Sequence, residues 1–159
     1  GKSTYSFAPK DNLTRGQLVA ILYRAAGSPS VTGTTNPFND VKTGDYYYNA
    51  VLWAYKNDVV NGTGAGKFSP NANVTREQIA AILYRYAQNE GYKTSQSGKG
   101  TEGYLDASSI SSYAVKAMDW AVNAGLLSGK GNNTLAPTAG ATRAEVAQIF
   151  MNFCENIAK

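Results

Sequence analysis

The sequence contains no histidine. That removes the Ser-His-Asp and Cys-His nucleophile systems and most zinc sites. It contains one cysteine, Cys154, so neither an intramolecular disulfide nor a multi-cysteine metal site can form. On an apolar helix a lone cysteine reads as a small core residue, and so little sulfur leaves the compartment open. Apolar runs are short: Ile79-Ala80-Ala81-Ile82-Leu83 is typical, far below the roughly 20 residues of a membrane span. No signal peptide opens the chain, although a mature secreted protein would have lost one. Basic runs are absent too. The 15 Lys and Arg exceed the 11 Asp and Glu for a net charge of +4. This mild, scattered excess suits an acidic partner and argues against nucleic acid.

The 159 residues are 43% hydrophobic and 16% charged, a globular composition. Eleven tyrosines and two tryptophans are many for this length. Aromatic rings at a surface make platforms for sugars, but most of these belong in a core.

Self-comparison shows a repeat. Phe68-Ser69-Pro70 followed by Val74-Thr75-Arg76-Glu77-Gln78 matches Phe7-Ala8-Pro9 followed by Leu13-Thr14-Arg15-Gly16-Gln17, 61 residues earlier. It matches again, 67 residues later, at Leu135-Ala136-Pro137 and Ala141-Thr142-Arg143-Ala144-Glu145. Upstream, Phe38-Asn39-Asp40 pairs with Tyr104-Leu105-Asp106, Trp53-Ala54 with Trp120-Ala121, and Asn61-Gly62 with Ser128-Gly129. A full unit therefore reads aromatic-x-Asp, a first helix ending in Trp-Ala, a Gly turn, an aromatic-or-Leu-x-Pro loop, Thr-Arg and a second helix. Gly1 aligns with Gly62, so unit 1 has no first helix and the chain holds two and a half units. The missing half is expected either to have been removed or to be supplied by another chain.

The second helices carry apolar residues at i, i+3, i+4 and i+7: Leu18, Ile21, Leu22 and Ala25; Ile79, Ile82, Leu83 and Tyr86; Val146, Ile149, Phe150 and Phe153. The first helices have small apolar faces, Ala50-Val51-Ala54 and Ala117-Met118-Ala121, which predict a central bundle of first helices. Positions 49, 52 and 56 align with Lys116, Asp119 and Asn123, so that side is expected to face water. Trp53 and Trp120 adjoin the core stripe, and burial is expected for both. Gly62 and Gly129 read as helix C-caps, with exposed N–H groups that could bind sugar hydroxyls or an acid. The loop 61–67 lacks a phosphate-loop pattern and follows a helix rather than a strand.

Each Thr-Arg motif has the form of a capping box, with Gln17, Gln78 or Glu145 reaching back to Thr14, Thr75 or Thr142. The box does not account for the arginine. A cation in the first turn opposes the helix dipole. Three copies imply a compensating anion: a protein carboxylate such as Asp40 or Asp106, or a ligand held by Arg and free N–H groups. Carboxylates at Asp40, Asp106 and Glu145 do not by themselves pair an acid with a base, so the chain reads as no enzyme.

Together these motifs closely resemble the S-layer homology (SLH) module, over nearly the whole chain. The resemblance implies a mainly α fold of tandem helical repeats in a pseudo-threefold, spindle-like arrangement with short extended loops. The units are residues 1–29 (second half of unit 1), 38–88 and 104–159, joined by linkers 30–37 and 89–103, the latter expected to be flexible. It implies a non-catalytic module outside the cell, at the cell wall or S-layer of a Gram-positive bacterium. There it would anchor by binding an acidic secondary cell wall polysaccharide, often through pyruvylated N-acetylmannosamine, without cofactor, metal, membrane or nucleic acid. By the family's Thr-Arg-Ala-Glu motif, which Thr142 to Glu145 match in full and units 1 and 2 match in part, the expected contacts are Arg15, Arg76 and Arg143. Gln17, Gln78, Glu145, Tyr46, Tyr47, Gly62 and Gly129 would lie beside them. Arg15 would share a groove with Tyr46 to Tyr48, and the Arg143 groove would be incomplete. The alternative is a structural, self-assembling module whose motifs are only caps and ion pairs, with a homodimer or partner chain completing unit 1.

Overall fold

A computed structural model describes residues 11–95 and 97–158. The expectations for Gly1 and for Phe7-Ala8-Pro9 lie outside them. The described residues form five α-helices: α1 (Arg15–Ala25), α2 (Tyr48–Lys56), α3 (Arg76–Asn89), α4 (Val115–Asn123) and α5 (Arg143–Asn156). Short 3-10 turns at Ala107–Ser109 and Ser112–Ala114 lead into α4. Among the described residues, extended pairing is confined to isolated bridges. The fold is mainly α, as the repeat predicts.

The three second helices begin alike. Thr14, Thr75 and Thr142 each sit in extended geometry and accept the N–H of the third helical residue, while Gln17, Gln78 and Glu145 return a bond to the cap's own N–H. These boxes contribute about 0.5–2 kcal/mol each. The first helices end differently from expectation. α2 and α4 stop at Asn57 and Ala124, where Asp58 (φ 58°) and Gly125 (φ 75°) turn left-handed. Gly62 and Gly129 lie beyond the caps and serve close packing. A Cβ on Gly62 would stand 2.5 Å from Lys67 O and 2.8 Å from the Phe38 ring, and one on Gly129 3.1 Å from the Tyr104 ring.

A closed ring of backbone bonds ties the units together. Leu13 N–H donates to Ala141 O (3.0 Å), Ala141 N–H to Val74 O (3.1 Å), and Val74 N–H to Leu13 O (2.8 Å). A second ring surrounds it: Arg15 N–H to Ala72 O, Arg76 N–H to Ala139 O, and Arg143 N–H to Asp11 O. The three equivalent segments thus meet around a pseudo-threefold axis, each bonding the next.

Below the rings lies one apolar core. The close helix pairs are α1 with α2 and α3 with α4, so each first helix packs on the preceding unit's second helix. This replaces the expected central bundle of first helices. Trp53 and Trp120 are buried, as expected; Trp53 meets Tyr23 at 5.7 Å and Tyr86 at 6.1 Å, and Trp120 meets Tyr84 at 5.4 Å. Leu52, expected to face water, is 2% exposed. Its counterpart Asp119 accepts bonds from Thr101 N–H and Oγ1 at 2.8 Å, and Asn123 accepts from Gly100 N–H. The polar face of α4 therefore holds the end of the 89–103 segment rather than bulk water, and Thr101 is buried.

Helix α5 is the exception. No first-type helix packs on it among the described residues. Ala147, Met151 and Cys154 are exposed there, whereas the counterparts Ala80 and Ala87 on α3 are buried. Cys154, expected in the core, is a free surface thiol for this reason.

Candidate functional site

The site is built from the loop before each second helix. Asp40 accepts the N–H groups of Phe68 and Ser69, both at 2.9 Å; Asp106 accepts those of Leu135 and Ala136, both at 2.8 Å. Two successive N–H groups can aim at one carboxylate because Ser69 (φ 60°) and Ala136 (φ 50°) are left-handed. Desolvation pushes both carboxyls up, but the backbone bonds outweigh it and hold them below the ordinary value. The aromatic-x-Asp motif is thus a clamp on the loop, not a direct ion-pair partner of the arginines.

With the loop held, its carbonyl becomes an anchor for the arginine of the preceding unit. Arg15 Nε donates to Phe68 O at 2.9 Å and Arg76 Nε to Leu135 O at 2.7 Å. The free N–H groups expected at the helix starts are used in both α1 and α3. In α1 they go to Gln17 Oε1, Ala72 O, Pro70 O and Thr14 Oγ1; in α3 they go to Gln78 Oε1, Ala139 O, Pro137 O and Thr75 Oγ1. At these two helix starts anion recognition falls to side chains, whereas the N–H groups of Gly62 and Gly129 at the clefts donate to no acceptor among the described residues.

Two equivalent clefts result, and they differ in charge. The first, of about 390 Å³, lies between Arg15, the Val59–Thr63 turn, the α3 residues Gln78, Ala81, Ile82 and Arg85, and Tyr113 of unit 3. Arg15 is 6% exposed, and its guanidinium carbon lies 4.7 Å from the Phe68 ring centre. Its two Nη nitrogens take no hydrogen bond among the described residues, and no carboxylate lines the cleft. Of the nearby acids, Asp40 holds the loop, and Glu77 is bonded to Ser111 N–H, Ser111 Oγ and the Tyr113 hydroxyl. Burial lowers the Arg15 pKa, with Tyr113 and Asp40 partly offsetting it, as befits an under-compensated buried cation.

The second cleft, of about 240 Å³, holds Arg76, Leu126–Lys130, Glu145, Gln148, Ile149 and Asn152. Here all three guanidinium nitrogens are bonded. Arg76 Nη2 donates to Ser128 O (2.7 Å) and Nη1 to Glu145 Oε2 (3.1 Å), while Lys130 Nζ reaches the same oxygen at 3.2 Å. Burial pushes the Glu145 carboxyl up, but the Thr142 N–H and the charges of Lys130 and Arg76 hold it below its ordinary value.

The structure thus brings Arg15, Gly62 and Gln78 together in one cleft and Arg76, Gly129 and Glu145 in the other. Gln17 stays in its capping box. Arg143 Nε is buried without a partner among the described residues. Tyr47 is buried against Gly16, and Tyr46, 69% exposed, stacks edge-on to it at 4.9 Å. The tyrosine at the Arg15 cleft is Tyr113, not Tyr46 to Tyr48 as expected. Sequence reasoning missed Tyr113 and Arg85. Both were signalled: Tyr113 aligns with Tyr46, and Arg85 continues the stripe Gln78, Ala81, Ile82 by one helical turn. Among the described residues there is no cluster of metal-ligating side chains, and no helix is long and apolar enough to cross a membrane.

The S-layer homology domain matches residues 37–80 and 103–147, and the chain belongs to that family. Relatives extend the likeness over the whole chain. It is 35% identical to the amylopullulanase of Thermoanaerobacterium thermosulfurigenes, over 98% of this chain and 8% of that protein. It is 30% identical to the surface-layer 125 kDa protein of Lysinibacillus sphaericus, over 99% of this chain and 13% of that protein. It is 26% identical to the cellulosome-anchoring protein of Acetivibrio thermocellus, over 87% of this chain and 31% of that protein. The chain therefore spans a minor part of the length of the curated relatives it matches. Among solved structures, an undecaheme cytochrome from the S-layer of Carboxydothermus ferrireducens aligns at a TM-score of 0.45 and 22% identity, over 97% of this chain and 23% of that one.

Proposed function

We propose that the chain is a non-catalytic anchor that holds a larger protein at the outside of the cell, in the wall or S-layer. It does so by binding an acidic, pyruvylated wall polysaccharide in a cleft between units. The observation that carries this reading is Arg15, a buried guanidinium whose Nη groups face an open cleft free of carboxylate. A sugar carboxylate supplies the missing anion as a charge-assisted, two-pronged pair. Arg85 adds charge from the opposite wall, Gln78 and Asn61 add hydrogen bonds, and Tyr113 with Ile82 offers an apolar face to the ring. Relatives named as surface-layer, cell-surface and cellulosome-anchoring proteins support the setting. Their enzyme counterparts fit a passenger carried by such an anchor.

The test is co-sedimentation of the purified chain with cell-wall sacculi, intact, stripped of polymer by acid, or lacking pyruvyl groups. Binding is expected to intact walls only and to be lost with Arg15→Ala. Binding that survives pyruvate removal would overturn the anion mechanism, and a folded chain that binds no wall would overturn the anchoring reading.

A second, structural reading has its own support: the uncovered apolar face of α5. A first-type helix from a partner chain, packed as α4 packs on α3, would complete unit 1. Concentration-dependent dimers in light scattering, without wall affinity, would favour it over anchoring.

A further inference from the structure

Resting on the anchoring reading, we propose that Glu145 is a built-in anion that closes the second cleft, so that the two clefts hold one working acid site. The two are superposable position by position: Arg15 and Arg76, Asn61-Gly62-Thr63 and Ser128-Gly129-Lys130, Ala81 and Gln148, Ile82 and Ile149, Arg85 and Asn152. The backbone that holds each arginine is the same, since both Nε groups bond the clamped loop carbonyl. What differs is the helix residue three places after the capping threonine. In both units this side chain spends one oxygen on the cap, Gln78 Oε1 on Thr75 N–H and Glu145 Oε1 on Thr142 N–H. The remaining atom lies toward the cleft. In Glu145 it is an anionic oxygen that binds Arg76 and Lys130 together. In Gln78 it is an amide NH₂, a donor that cannot neutralise Arg15.

An incoming carboxylate therefore meets cations without a carboxylate, Arg15 and Arg85, in the first cleft, and cations already sharing Glu145 in the second. In the first it adds the one anion that a buried cation lacks. In the second it must displace Glu145 from two cations or sit beside it, and like charges a few ångströms apart in a partly desolvated site oppose binding. Lys130 does not reverse this, because it shares the oxygen that already serves Arg76. Cleft volume acts in the same direction, with about 390 Å³ against 240 Å³.

Glu145→Gln converts the second cleft to the first cleft's chemistry while keeping the capping box, which Gln17 and Gln78 already form. The measurement is binding stoichiometry by calorimetry, with a synthetic pyruvylated N-acetylmannosamine glycoside as probe. Circular dichroism checks that each variant is folded. The wild type should bind one equivalent, and Glu145→Gln two. Arg76→Ala added to Glu145→Gln should restore one, and Arg15→Ala with Glu145→Gln should leave one. A wild type with two sites, or a folded Glu145→Gln chain still at one, overturns this inference alone. A wild type that binds none overturns it together with the anchoring reading.

Discussion

Gly16 lies under the ring of Tyr47: a Cβ at Gly16 would stand 3.0 Å from Tyr47 Cδ2 and 3.0 Å from Pro70 O. The equivalent pair at the next interface is Glu77 and Ala114, with the sizes reversed. Glu77 there sends its carboxylate to Ser111, and Ala114 is fully buried. The same junction between units is filled once from the first helix and once from the second. Gly16→Ala is therefore predicted to destabilise. Inside a helix that exchange normally stabilises by about 0.5–1 kcal/mol, but overpacking costs about 1–3 kcal/mol. The urea midpoint should fall. In a Tyr47→Ala background the cost should shrink without vanishing, because Pro70 O remains in place, and a double-mutant cycle measures that coupling.

The two clamp carboxylates give the fold an acid limit. Asp40 and Asp106 are held below their ordinary value in the folded chain. A depressed folded pKa contributes stability that is complete above the unfolded value and is lost as pH falls through the folded one. Unfolding free energy should therefore drop below about pH 4. Asp40→Asn with Asp106→Asn should weaken the fold at neutral pH, because an amide oxygen accepts fewer bonds than a carboxylate. It should also flatten that acid limb. Urea titrations across the acid range read both effects, and an unchanged slope would contradict the clamp.

What the sequence shows of this molecule is what repeats. Capping boxes, core stripes and buried tryptophans recur at fixed spacing, so chemistry at one copy reports on all. What it hides is where copies differ or where distant segments meet. Leu52 and Asp119 occupy one position, yet one is core and the other binds Thr101. Aligning them as a water-facing side averaged two different environments. The ring through Leu13, Val74 and Ala141 joins residues 61 to 128 apart and uses backbone only, so no side-chain pattern announces it. The bonds of Arg15 and Arg76 N–H to Ala72 and Ala139 O, with those of Gly16 and Glu77 N–H to the proline carbonyls, likewise leave no free N–H at the starts of α1 and α3. Tyr113 reaches the Arg15 cleft from the third unit, an approach set by rotation about the axis rather than by adjacency in the chain.

Cys154 supplies a direct probe of the uncovered helix face. Its counterpart Ala87 is fully buried, whereas Cys154 is exposed beside the exposed Met151. The native protein should titrate one thiol per chain with Ellman's reagent, at a rate close to that in denaturant. Protection that grows with protein concentration would instead mark association through α5.

The paired arginines should separate stability from binding. Arg76 is held by Leu135 O, Ser128 O and Glu145. Arg76→Ala leaves two carbonyls and a partly buried carboxylate short of a partner, a loss of about 3 kcal/mol. Arg15 makes one hydrogen bond and one ring contact, so Arg15→Ala should cost only about 1–2 kcal/mol. Wall binding should rank the other way. Arg15→Ala removes the cation that faces the open cleft, whereas Arg76→Ala removes one already neutralised by Glu145. Arg15→Lys should not restore binding, because an ammonium cannot hold Phe68 O through Nε and still present two donors to the cleft. Thermal melts and sacculus co-sedimentation on the same four proteins decide this. Equal binding losses for Arg15→Ala and Arg76→Ala would mean that Glu145 does not satisfy Arg76 in solution.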